Sequence, residues 1–150
     1  MEAVTYQLTI PALLDTLSNI NVFVEQHLSM YGCPTKTINQ ILLSVEEAYV
    51  NIVNYAYEDH QGFCKVVMQV RDGDGVGEKM DNMREMCIRL IDTGQPFDPL
   101  SKDDPDITLR AEERQIGGLG IYMIKKLMDE VSYERTASEN ILTMKKQWRI

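Results

Sequence analysis

The chain is short of the residues that settle a protein's class on their own. Its three cysteines, Cys33, Cys64 and Cys87, are odd in number and far apart, and only His27 and His60 accompany them. No zinc spacing can be written with this set, and a disulfide framework needs an even, denser one. Buried thiols are the expected state, which fits a reducing compartment. Apolar runs approaching the ~20 residues of a membrane span are missing. The opening Met-Glu-Ala-Val-Thr-Tyr lacks the basic start and apolar stretch of a signal peptide. The sequence therefore predicts a cytoplasmic protein with no membrane partner. Basic charge is also scarce: 15 Lys and Arg against 23 Asp and Glu leave a net charge of −8. That balance argues against direct nucleic-acid binding, which demands a basic face. Repeats, linkers and low-complexity runs are absent. A length of 150 residues suits one globular domain, expected to span 1–150.

What is present is strongly patterned. Val4, Tyr6, Leu8 and Ile10 alternate with polar residues, a half-buried strand. Pro11 ends it, and Leu13, Leu17, Ile20, Val24 and Leu28 recur at helical spacing up to a stop at Gly32. Pro34 opens a second helix whose apolar stripe runs through Ile38, Ile41, Leu42, Val45, Ala48, Ile52 and Ala56. Two strands follow, around Cys64–Arg71 and Glu85–Asp92, joined by the Asp72–Asn82 segment. That segment begins like a calcium loop, but Val76 and Met83 stand where oxygen ligands are required. Its glycines lead into a strand, not the helix of a dinucleotide fingerprint, so it reads as a loop insertion. A polar stretch, about 98–117, precedes a helix reaching about Asp129, then strands at Glu130–Arg135 and Ile141–Trp148. The long irregular stretch suggests a lid. Strands grouped as hairpins with helices to one side predict an α+β two-layer sandwich, its sheet mixed but mostly antiparallel.

Three places carry candidate chemistry. Gly117, Gly118 and Gly120 stand just before the apolar helical pattern of Ile121, Ile124 and Met128. This is either a loop leading into a buried helix or an anion site, where close-approaching backbone N–H groups meet phosphate. Glu47, Asn51 and Asn54 lie at i, i+4 and i+7 on the second helix. They form either a solvated face or a functional row, since an amide oxygen suits Mg²⁺ and a carboxylate can accept a proton from a hydroxyl. Asp92 falls on the parity of Met86, Ile88 and Leu90, toward the helices, before Thr93-Gly94-Gln95-Pro96-Phe97-Asp98. It either caps its own turn or accepts a hydrogen bond from the amine of adenine.

Together these stretches resemble the nucleotide-binding fold of histidine kinases, type II topoisomerases and the heat-shock and mismatch-repair ATPases (the Bergerat fold). Within it they resemble most the bacterial anti-sigma-factor serine kinases. Glu47 to Tyr57 is similar to the family's N box, Asp92 to Asp98 to its first glycine box, and Gly117 to Ile121 to its second. Leu127–Val131 and Asn140–Met144 are similar to its closing segment. The resemblance implies ATP and Mg²⁺ as cofactors. It assigns Mg²⁺ to Asn51, the adenine amine to Asp92, the adenine turn to Gly94 and the phosphates to Gly118, Leu119 and Gly120. Thr143 would support the adenine end, and Glu47 would be the general base activating a serine hydroxyl on a protein. Arg110 and Arg114 could reach the terminal phosphate. The implied activity is an ATP-dependent protein-serine kinase that also binds a partner, a sigma factor or an anti-anti-sigma antagonist of STAS type, with homodimerisation expected. The alternative is a nucleotide-gated protein-binding module without phosphotransfer. Tyr55 and Ala56 depart from the histidine and glycine of many relatives, and the 72–82 loop is longer than usual.

Overall fold

The computed structural model describes residues 2–57, 60–72, 82–101 and 118–150. The chain runs β1 (Val4–Pro11), α1 (Leu17–Met30), α2 (Thr35–Tyr55), β2 (Phe63–Asp72), β3 (Met83–Asp92), α3 (Gly118–Leu127), β4 (Glu130–Arg135) and β5 (Asn140–Arg149), with 3₁₀ turns at Leu14–Thr16 and Pro99–Ser101. The strands form one sheet in the order β1-β2-β3-β5-β4, and all four pairings are antiparallel. The α+β sandwich expected from the hairpin pattern is what forms.

Period-2 alternation decides which sheet face meets the helices. Val66, Met68 and Val70 of β2, Met86, Ile88 and Leu90 of β3, and Leu142 and Met144 of β5 are buried. They pack against Ile20, Val24 and Leu28 of α1, Ile38, Ile41, Val45 and Ile52 of α2, and Ile121 and Ile124 of α3. Gly32, at φ 70, makes the turn between α1 and α2, and Pro34 caps α2 from outside. Tyr49, fully buried, carries its hydroxyl to the carbonyls of Pro11 and Leu13 and to Thr16 Oγ1, fixing α2 against the start of the chain. Ile41 has no exposed surface, so Ile41→Ala is expected to cost about 2–5 kcal/mol, measured by denaturant unfolding.

The sequence-predicted 98–117 lid falls largely on residues outside those described, as does most of the Asp72–Asn82 loop. No helix among the described residues is long and apolar enough to cross a membrane.

A candidate nucleotide site between α2, α3 and the β3 turn

The row on α2 is graded in exposure: Glu47 and Asn51 are half-buried and Asn54 is exposed. What separates Glu47 from a solvated face is its neighbour. A Cβ built on Gly120 would meet Glu47 Cδ at 3.2 Å, with Oε2 closer still. The carboxylate therefore lies directly against the first turn of α3, which begins at Gly118. The first N–H groups of a helix lack intrahelical acceptors and carry a partial positive charge. Gly118, Leu119 and Gly120 supply that turn, and a side chain at 120 would push the Glu47 carboxylate from its place against it. Asn51 sits one turn farther along the same helix. The described residues hold no cluster of three His, Cys, Asp or Glu able to cage a metal. An amide oxygen such as that of Asn51 is a hard ligand of the kind Mg²⁺ accepts, since that ion takes few protein ligands and completes its shell with water and phosphate.

The second half of the site is built on the end of β3. Asp92 is 4% exposed. Its Oδ1 accepts from Gly94 N and from Asn140 Nδ2, both at 2.9 Å. Burial raises the acid above the usual aspartate range, and the Asn140 amide, the Gly94 N–H and the Arg135 charge counter that in part. Asn140 Nδ2 also donates to Gln95 O at 2.7 Å, while its Oδ1 accepts from Tyr133 Oη and Phe97 N. The turn after Asp92 is sewn to the end of α2: Gln95 N donates to Ala56 O at 3.0 Å and Gln95 Nε2 to Tyr55 O at 2.7 Å. Gly94 is pressed against the same place, so a Cβ there would lie 2.6 Å from the Ala56 carbonyl carbon. That obstacle is backbone and cannot swing aside. Gly94→Ala is expected to cost about 1–3 kcal/mol of stability by thermal or denaturant melting, and to weaken nucleotide binding with it.

Ile52, Leu90, Phe97, Pro99 and Leu142 enclose a hollow over Asp92, with Tyr133 and Asn140 at its side. Among the described residues it measures about 20 Å³, the room of a single water and not of a purine. A wider groove of about 520 Å³ lies at the opposite end of α2, beside Thr35, Asn39 and Leu43, and contains none of the candidate residues.

Glu47 and Gly120 are thus brought together, and Asp92 and Gly94 form a second group at the far end of the same α2 segment. Thr143 joins neither. It pairs with Arg89 and Ser132, on the parity opposite to Leu142 and Met144, so it projects from the outer face of the sheet. The place beside Asp92 is taken by Asn140, its direct cross-strand partner. Placing Asn140 in the preceding turn hid it, although its parity with Leu142 and Met144 was readable. Tyr133 and Arg135 of the edge strand also escaped, since they lie outside every stretch that carries the resemblance. Arg110 and Arg114 lie outside the described residues, as does Gly117.

A family model described as a histidine kinase-like ATPase domain matches residues 10–146. The serine-protein kinase RsbW of Listeria monocytogenes is 28% identical over 107 residues, covering 69% of this chain and 62% of that protein. The serine/threonine-protein kinase BtrW of Bordetella bronchiseptica is 25% identical over 105 residues, covering 69% and 66%. The RsbW of Staphylococcus aureus is 25% identical over 146 residues, covering 90% and 82%. The first two alignments span just under two thirds of their relatives' lengths. Among solved structures, the histidine kinase domain of a blue-light activated histidine kinase from Erythrobacter litoralis matches at TM-score 0.42 and 20% identity, covering 75% of this chain and 45% of that one.

Proposed function

The chain belongs to the histidine kinase-like ATPase domain family, and from that premise we propose that it is an ATP-dependent protein-serine kinase acting as an anti-sigma regulator. Its substrate is an antagonist protein of anti-anti-sigma type, and its second partner a sigma factor. The observation that carries this reading is the Glu47 carboxylate held against Gly120 in the first turn of α3. A module that only sensed nucleotide needs the Asp92 pocket and the helix terminus. It has no use for an acid at the phosphate end.

The division of labour follows from the two groups. Asp92, ionised, accepts a hydrogen bond from the 6-amino group of adenine at one end. At the other, the N–H groups of Gly118, Leu119 and Gly120 hold phosphate oxygens. Asn51 would hold Mg²⁺, which when bound offsets phosphate charge. Glu47 takes the proton from the serine hydroxyl as its oxygen forms a bond to the γ-phosphorus. The bond from that phosphorus to the bridging oxygen breaks, and ADP leaves with the electron pair. The relatives' names, serine-protein kinase among them, support the same class of transfer.

Incubating the protein with γ-labelled ATP, Mg²⁺ and the candidate antagonist should place label on a serine of that antagonist. Tight nucleotide-dependent capture of the antagonist without any phosphoserine would replace the kinase by a gated binding module.

A further inference from the structure

The groups that brace the partners of Asp92, Tyr133 against Asn140 and Arg135 against Gly94, lie on the edge strand β4, outside the segments that carry the family resemblance. The register sets Asp92, Asn140 and Arg135 side by side across β3, β5 and β4, on the face toward the helices. The neighbouring row on that face is Leu90, Leu142 and Tyr133. Arg135 Nη1 donates to Gly94 O at 2.8 Å, holding from outside the turn that Ala56 holds from the α2 side. Tyr133 Oη donates to Asn140 Oδ1 and lies 3.3 Å from Phe97 N, so it joins the amide to the far end of the turn. With these partners the Asn140 amide makes four hydrogen bonds, two given and two taken. An amide has no further strong bonds to make.

One consequence concerns the acid itself. Asp92 Oδ1 is occupied by Gly94 N and Asn140 Nδ2, while among the described residues no donor reaches Oδ2. The fixed amide therefore determines which oxygen is left to face the hollow, and that oxygen can only accept. An acceptor there favours a 6-amino purine and opposes a 6-oxo purine, which presents its own acceptor. We propose that Tyr133 and Arg135 are positioning residues for purine recognition. Tyr133 fixes the Asn140 amide and through it the free oxygen of Asp92. Arg135 fixes the Gly94 turn through its carbonyl and sets a positive charge beside the acid. This assignment rests on the adenine-nucleotide reading of the site.

Groups facing Asp92 come from several elements. Cys64 on β2 is its cross-strand neighbour, with a thiol pushed up to about 12, first by burial and then by Asp92 itself. Tyr57, after α2, accepts from Thr93 N. Tyr133 and Arg135 face it from β4, and α2 contributes the apolar Ile52. Arg135 is thus the one cation among these groups. Asp92 accepts from the base when ionised, so affinity is present above its pKa and lost as pH falls through it. Removing the Arg135 charge moves that loss to higher pH.

The test is calorimetric titration of the full chain with ADP and with inosine diphosphate across a pH series, for the native protein, Tyr133→Phe and Arg135→Gln. Each variant's fold is checked by circular dichroism. Tyr133→Phe keeps the ring and should lower ADP affinity roughly two- to tenfold, with inosine diphosphate binding little changed, so discrimination falls by the same factor. Arg135→Gln should shift the acid limb of ADP binding upward relative to the native chain, and Arg135→Lys should restore it. Phosphate titration is common to all and cancels in the comparison. Native discrimination and pH profile retained in both variants would overturn the assignment while leaving the nucleotide reading intact. A native chain that binds neither diphosphate would overturn both.

Discussion

Asp92→Asn is expected to give a folded protein that no longer holds an adenine nucleotide. The side chain keeps its shape, and an amide oxygen at the Oδ1 position still accepts from Gly94 N and Asn140 Nδ2. The change falls on the other atom, where an NH₂ replaces the acceptor and meets the 6-amino donor of the base. Losing a charge-assisted hydrogen bond costs about 1.5–3 kcal/mol, and opposing two donors adds to it. ADP affinity should drop about a hundredfold or more by calorimetry. Stability should move the other way. Burial raises the Asp92 pKa above the unfolded value despite its partners. A carboxyl so shifted contributes stability that is full below its ordinary pKa and lost as pH rises through the raised one. At neutral pH the native chain carries that cost and the asparagine does not. Thermal melts should therefore place Asp92→Asn at or above the native chain near pH 7, with the difference shrinking toward acid. A residue that costs stability and confers binding is the usual signature of a functional position.

Glu47→Gln is expected to separate binding from transfer. The amide matches the carboxylate in size, so the close packing against Gly120 survives, and a negative charge leaves the helix terminus where phosphate has to sit. Nucleotide affinity should hold or improve. Phosphoserine formation on the antagonist should fall by about 10²–10⁴, the range of a lost general base. The check is single-turnover transfer from labelled ATP beside an ADP titration of the same preparation. Unchanged transfer with native affinity would remove Glu47 from the chemistry and leave it as an acid placed on a helix N-terminus.

The helices and strands were legible because one face of each is buried. The stripe from Ile38 to Ile52 and the alternation from Met86 to Leu90 state their periods directly. The same parity placed Asp92 inward, and it is buried as expected. What sequence order could not supply is register. Which residue of β5 stands opposite Asp92 depends on how two strands far apart in the chain align. Assigning the supporting role to Thr143 instead of Asn140 moved it by three positions, an odd number, and so to the other face of the sheet. The contact between Glu47 and Gly120 was similarly out of reach, because it is made by the packing of α2 on α3. Motifs located both residues, and only the tertiary structure shows them touching.

The strand order β1-β2-β3-β5-β4 sets when in folding the pocket exists. β2 and β3 follow one another in the chain, whereas the Asp92–Asn140 bond closes across 48 residues. Contacts at such separation carry the larger entropic penalty and form late. A partly folded chain can own its helices, its central hairpin and the Asp92 carboxylate while that acid still lacks its amide partner. Nucleotide then finds no oriented acceptor, so binding competence waits on the pairing of β3 with β5. Because ligand engages only that completed state, its free energy is spread over the whole sheet. Raising the nucleotide concentration thereby draws the population toward the chain with its sheet complete.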